Sequence, residues 1–246
     1  MNCALIFAGG TGQRMNTKSL PKQFLMIHGK PIIIHTLDVF EKSQLIDSVI
    51  VVCLESWIGY LREQLTIFGI KKVQKIVPGG KTGQDSIYNG IKLIHDLYAE
   101  DTIVLIHDGV RPLIDTDTIE RNIKCVQEHG NAVTVSPALE TIAVRPESNQ
   151  QKIEKIIERK NCLLAKAPQS FFLKDIYTAH QLARSNNLHD FIDSAYLMQW
   201  AGYKLFTVEG PVYNIKITTP ADFYVFHAIL DAHENGQING FANNGA

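Results

Sequence analysis

The chain has 246 residues, 45% hydrophobic and 20% charged, enough to bury the core of one α/β domain or two small ones. Its 24 basic and 25 acidic residues leave a formal net charge of −1, without the basic excess of a nucleic-acid binder, so a phosphate site must rest on a few placed residues. No apolar run nears the roughly 18 residues of a membrane span, the N-terminal apolar run lacks a signal peptide's basic flank, and four cysteines without C-x-x-C spacing fit reduced thiols in a cytoplasmic protein.

In chain order, apolar runs predict strands over 3–8, 48–54, 72–77, 102–107 and 132–136. Helical periodicity predicts helices over 31–42, 57–68, 84–98 and 117–128, the last capped by Asp117. This alternation implies an α/β fold: a Rossmann-like, mostly parallel sheet flanked by helices. The rhythm breaks at about 137–161, where two β-like stretches flank a polar segment and read as a projecting β-arm. Helices over 175–185 and 193–200 follow, then a strand over 204–209, a strand-like stretch around Lys216 and a last helix over 221–233. Residues 1–234 read as one domain, and the Asn- and Gly-rich tail over 235–246 as disordered.

Three strand ends carry motifs, and open α/β sheets bind ligands at the carboxyl ends of their strands. The first strand opens into Ala8-Gly9-Gly10-Thr11-Gly12-Gln13-Arg14-Met15, with Leu20-Pro21-Lys22-Gln23-Phe24 beyond it. Glycines let backbone N–H groups approach an anion, and Arg14 and Lys22 add two positive charges, which together suit a polyphosphate. A dinucleotide fingerprint would need a third glycine, where the chain has Met15. A P-loop would need glycine where Thr17 stands, and its helix would be stopped by Pro21. The second motif, Gly79-Gly80-Lys81-Thr82-Gly83-Gln84-Asp85-Ser86, runs from a turn into a helix. Asp85 or Ser86 beside the helix N–H groups can read a base edge or hold an anion, or simply cap the helix. In the third, His107-Asp108-Gly109-Val110-Arg111-Pro112, Asp108 is placed to hold Mg²⁺, His107 reads as structural and Arg111 as a brace. Lys216, between Ile215 and Ile217, is expected to contact phosphate, and Asp222 to cap the last helix. The histidines, His28 and His227 among them, show no metal-ligand spacing, and no G-x-S-x-G supports acyl transfer.

The glycine loop with Arg14 and Pro21-Lys22-Gln23-Phe24 is similar to that of the nucleotidyltransferases that build activated sugars and alditols. With G-G-K-T-x-Q-D-S-x-Y-N-G, H-D-G-x-R-P, A-P-Q-S-F and N-I-K-I-T-T-P-x-D, the chain resembles the cytidylyltransferases that form CDP-methylerythritol or CDP-ribitol, from about residue 1 to 229. The resemblance implies that Ala8, Gly9 and Gly10 line a CTP site, that Arg14 and Lys22 brace the triphosphate, and that Gly80 and Ser86 recognise cytosine. It implies that Asp108 serves metal and acceptor and Lys216 the reacting phosphates. It further implies a homodimer exchanging the arm, with Thr141 and Arg159 reaching the neighbour's acceptor site. Partners would be CTP and a polyol phosphate, with Mg²⁺ or another divalent cation and neither nucleic acid nor membrane. The chain departs from the methylerythritol branch at Ala167 (threonine there), at Ser194 (an acidic residue there) and at Gly83 (commonly arginine). The first two fall on the acceptor side, which leaves the acceptor open. A sugar-1-phosphate nucleotidyltransferase using another NTP shares only the first motif. A non-catalytic nucleotide-binding regulator would have lost Arg14, Lys22, Asp108 and Lys216.

Overall fold

The computed structural model describes residues 1–10, 20–147 and 151–234. Arg14 and the 235–246 tail therefore lie outside the described residues. Strand β1 (Asn2–Ala8) sits inside a seven-stranded sheet, flanked in parallel by β4 (Ser48–Cys53) and β6 (Ile103–Asp108). All six side chains of β4 are buried, as expected for a parallel strand covered on both faces. Beyond β4 lies the edge strand β5 (Val73–Pro78). Beyond β6 come β10 (Leu163–Phe172), β7 (Asn131–Pro137) and β11 (Thr207–Glu209). Every neighbouring pair in this sheet is parallel except the two that β10 makes with β6 and β7.

Helices cover both faces. Ala4, Ile6 and Ala8 of β1 pack against α1 (Ile32–Lys42), α2 (Ile58–Ile67) and α4 (Thr116–His129) through Leu37, Leu61 and Ile123. The alternate β1 residues Cys3 and Leu5 pack against α3 (Gly83–Leu97), α5 (Leu173–Ser185) and α6 (Ser194–Trp200) through Ile91, Ile176 and Leu197. The period of two in β1 thus feeds two cores from one strand. At Gly90 α3 packs closely on the sheet, since a Cβ there would fall 2.4 Å from Leu5 Cδ1. A third cluster joins the hairpin β2 (Met26–Ile27) and β3 (Lys30–Pro31) to the last helix, α7 (Pro220–Glu234), through Ile27, Ile32, Ile217 and Phe226. The arm is a small antiparallel pair, β8 (Ile142–Val144) with β9 (Lys155–Ile157).

Three expectations need correction. The α4 cap is Asp115, whose Oδ1 accepts from Thr118 N at 2.7 Å; Asp117 sits in the first turn and pairs with Arg121 instead. The stretch around Lys216 is an irregular loop, held where Ile217 N donates to Val110 O at 2.9 Å. Residues 163–172 form a ten-residue strand that the sequence reading omitted.

Candidate functional site

The sheet brings the three motifs to one end. Phe7 and Asp108 are paired in register at the ends of β1 and β6, and Ala8 pairs with Cys53 on the other side. Gly109 N donates to Phe7 O at 2.8 Å, and a Cβ on Gly109 would approach Ala8 Cβ to 3.1 Å, so this crossing requires close backbone approach. The first glycine turn is braced from below by buried Gln23, whose Nε2 donates to Ala8 O at 2.8 Å and Gly10 O at 3.3 Å. Lys22, next to it in the chain, donates from Nζ to Ile217 O at 3.0 Å, which ties it to the segment carrying Lys216.

The second glycine turn is closed by its own helix. Thr82 caps α3 by accepting from Asp85 N at 3.0 Å, Ser86 Oγ donates to Thr82 O at 2.8 Å, and Gly80 N donates to Ser86 Oγ at 2.9 Å. A Cβ on Gly80 would stand 2.5 Å from Asp85 Cβ, so only glycine fits. Gly9 and Gly79 both lie against Ser86, which brings the first two motifs into contact. The Asp85 carboxylate turns to α5, where Arg184 Nη1 lies 2.9 Å from Oδ1, and to His189 beyond that helix, whose Nδ1 lies 3.5 Å away.

Asp108 is the electrostatic centre. Lys216 Nζ lies 2.6 Å from its Oδ1 and Arg111 Nε 3.2 Å from its Oδ2. Burial by itself would raise the carboxyl pKa, but Lys216 and Arg111 override it and hold the group well below the usual carboxylate range. Arg111 also donates to Asn214 O at 2.8 Å, and Asn214 Nδ2 donates to Ala167 O at 3.0 Å, so one chain of bonds links Asp108 to β10. His107 is buried, with Nε2 3.0 Å from Arg111 O; burial lowers its pKa to about 4, which makes it a neutral structural imidazole. Magnesium-type ions take one or two protein carboxylates and complete their shell with water and phosphate oxygens. Asp108 offers one such carboxylate, but Lys216 and Arg111 already face its two oxygens, so an ion there would bind through water or displace one of those cations.

A cavity of about 310 Å³ opens beside Asp108. Asp108, Arg111 and Lys216 line it together with Lys166, Ala167, Asp193 and Ser194. Lys166 was not singled out in the sequence reading. Its Nζ donates to Val212 O at 2.6 Å, and burial together with the nearby Arg111 lowers its pKa to about 8. Its signal in the sequence is its place beside Ala167 in the stretch Ala165-Lys166-Ala167-Pro168-Gln169. Thr141 and Arg159 do not line this cavity. Both are exposed on the arm, where Arg159 Nη1 donates to Leu139 O at 2.7 Å.

A mostly parallel sheet with glycine turns, a lysine pair and a clamped carboxylate at its switch point defines a nucleotide-dependent transferase of the α/β class. The chain belongs to the IspD family, 2-C-methyl-D-erythritol 4-phosphate cytidylyltransferase, whose model matches residues 2–232. It is 50% identical to a ribitol-5-phosphate cytidylyltransferase of Streptococcus agalactiae serotype III over 98% of this chain and 100% of that one. It is 36% identical to a 2-C-methyl-D-erythritol 4-phosphate cytidylyltransferase of Clostridium acetobutylicum over 94% of this chain and 97% of the other. In fold it is similar to the crystal structure of 4-diphosphocytidyl-2C-methyl-D-erythritol synthase from Anaerococcus prevotii, with a TM-score of 0.79, 23% identity, and coverage of 94% of this chain and 96% of that one.

Proposed function

We propose that this chain transfers CMP from CTP to the phosphate of a polyol phosphate, with ribitol 5-phosphate as the acceptor. An acceptor phosphate oxygen attacks the α-phosphorus, the α–β bridging bond breaks, and pyrophosphate leaves. Such a reaction depends on positioning and charge stabilisation, and an acceptor phosphate already ionised at pH 7 needs no strong base. The backbone of Ala8, Gly9 and Gly10 holds the nucleotide phosphates, with Arg14 and Lys22 bracing the triphosphate. Gly80, Asp85 and Ser86 form the cytosine side. Lys216 stabilises charge on the reacting phosphates. Asp108 faces the acceptor and would hold a divalent cation, which when bound neutralises phosphate charge. Thr141 and Arg159 serve the acceptor site of a partner copy across a cytoplasmic homodimer, and their exposure on the arm supports that reading.

One observation carries the proposal: Asp108 sits clamped between Lys216 and Arg111 on the cavity wall, next to the paired glycine turns. The acceptor rests on Ala167 and Ser194, which line that cavity where the methylerythritol branch carries threonine and an acidic residue, and on the 50% identity to the streptococcal ribitol enzyme. The test is pyrophosphate release with CTP and Mg²⁺ against ribitol 5-phosphate and methylerythritol 4-phosphate in parallel. Turnover with ribitol 5-phosphate at least about tenfold above the other is expected, the discrimination a few polar contacts supply. The reverse preference would overturn the acceptor and leave cytidylyl transfer standing. Turnover only with another NTP would overturn both.

A further inference from the structure

The histidines are scattered in sequence, yet two of them meet one carboxylate. The β2–β3 hairpin turns at His28 and Gly29, both at positive φ, and presents His28 toward α7. His227 and Asp231 stand one turn apart on α7 and so share a face. His28 Nε2 lies 2.8 Å from Asp231 Oδ1, and His227 Nδ1 lies 3.2 Å from Asp231 Oδ2. The two imidazoles meet edge to face with centroids 5.1 Å apart, and the three ligand atoms all lie within 4.8 Å of one another. Zinc bonds of about 2.0–2.2 Å to imidazole nitrogen and carboxylate oxygen put tetrahedral ligand atoms roughly 3.3 Å apart. The two contacts to Asp231 are already near that spacing, and closing the rest of the 4.8 Å span would bring all three residues onto one ion.

We propose that His28, His227 and Asp231 form a binding site for a divalent transition ion such as Zn²⁺, separate from the Asp108 centre. Two imidazoles and one carboxylate favour such an ion over Mg²⁺, which prefers oxygen. Three protein ligands leave one tetrahedral position to water. The backbone beneath is already set by Ile27, Ile32 and Phe226, so little ordering remains for the ion to impose. The bound ion would staple the N-terminal hairpin to the C-terminal helix, two elements far apart in the chain.

The experiment is calorimetric titration of the metal-free full chain with Zn²⁺, alongside melting curves with Zn²⁺, with Mg²⁺ and with chelator. The variants are His28→Asn, His227→Ala and Asp231→Asn. Asparagine tolerates positive φ, so His28→Asn removes the ligand and keeps the turn. The wild type is expected to bind one Zn²⁺ and to melt higher with it. Each variant should lose at least about tenfold in affinity, the loss that even changes around a metal site produce, together with the zinc-dependent melting shift. Absence of zinc binding by the wild type would overturn the proposal. So would equal affinity in all three variants, because the ion would then be held elsewhere, for instance by cysteine.

Discussion

At the scale of single residues, Asp108 and Lys216 separate structure from chemistry. The Asp108 carboxylate is mostly buried, and both of its oxygens face cations. Asp108→Asn leaves Lys216 and Arg111 without their anion, and breaking a buried pair from one side costs about 3 kcal/mol. A lowered midpoint in urea unfolding, together with lost turnover, is the expected result. Lys216 has a side chain 40% exposed, so Lys216→Met should fold normally and lose about 10²–10³ in kcat. Near-wild-type kcat in Lys216→Met would remove that lysine from the reaction. The folded pKa of Asp108 lies below its unfolded value, so its stabilisation is present above about pH 3.9 and is lost only in stronger acid. Asp108 therefore supplies no acid limb to the rate near neutrality. Lys166 behaves differently, because burial and Arg111 bring it to about 8. Its ammonium ties the Pro211–Val212 backbone just ahead of Lys216. The rate should decline with a group titrating near pH 8, and Lys166→Arg should move that limb upward by keeping the charge. An unchanged profile in Lys166→Arg would assign the limb to another group.

At the scale of elements, the arm presents more apolar surface than a two-strand ribbon can bury by itself. Ile156 is 61% exposed, and Leu139 and Ile153 are exposed with it. Exposed apolar surface on an arm is the kind that marks interaction sites. Under the homodimer reading, Ile156→Glu should shift the chain toward monomer in sedimentation and reduce turnover, while its melting temperature at high concentration changes little. A wild-type chain that sediments as a monomer would remove the arm from the site. The arm, the glycine turns and the β1–β4–β6 core were legible because their signals are local: a break in rhythm, a run of glycines, six apolar residues in succession. Strand β10 was not, because its polar residues find partners far along the chain. Ser170 Oγ donates to Asn122 Oδ1, and Gln169 accepts from Ala195 N. A sequence window shows those residues as a loop, since the groups that satisfy them are elsewhere. The His28–His227–Asp231 cluster was missed for the same reason: the spacing that matters is spatial.

At the scale of the whole molecule, two cores press one sheet from both sides, and the groups buried beside the site set how the fold responds to acid. His107 and His180 are both buried, and burial lowers each to about 4. An unfolded histidine titrates near 6.5, so between that pH and about 4 the unfolded chain binds protons that the fold refuses. Stability should therefore fall as pH drops through this window, where Asp108 is still ionised in both states for most of the range. The two histidines differ in what they return. His107 has Nε2 paired with Arg111 O, whereas neither ring nitrogen of His180 has a hydrogen-bond partner among the described residues. A buried polar group without a partner costs about 1–3 kcal/mol. Replacing His180 with Leu removes that cost and one proton uptake on unfolding, while the Tyr88 ring, 5.8 Å from the imidazole between centroids, offers apolar contact. Urea unfolding should show His180→Leu more stable than the wild type, by a larger margin at pH 5 than at pH 7.5. A margin independent of pH would mean that His180 does not carry the acid sensitivity, and a less stable variant would mean that its imidazole makes a stabilising contact within the fold.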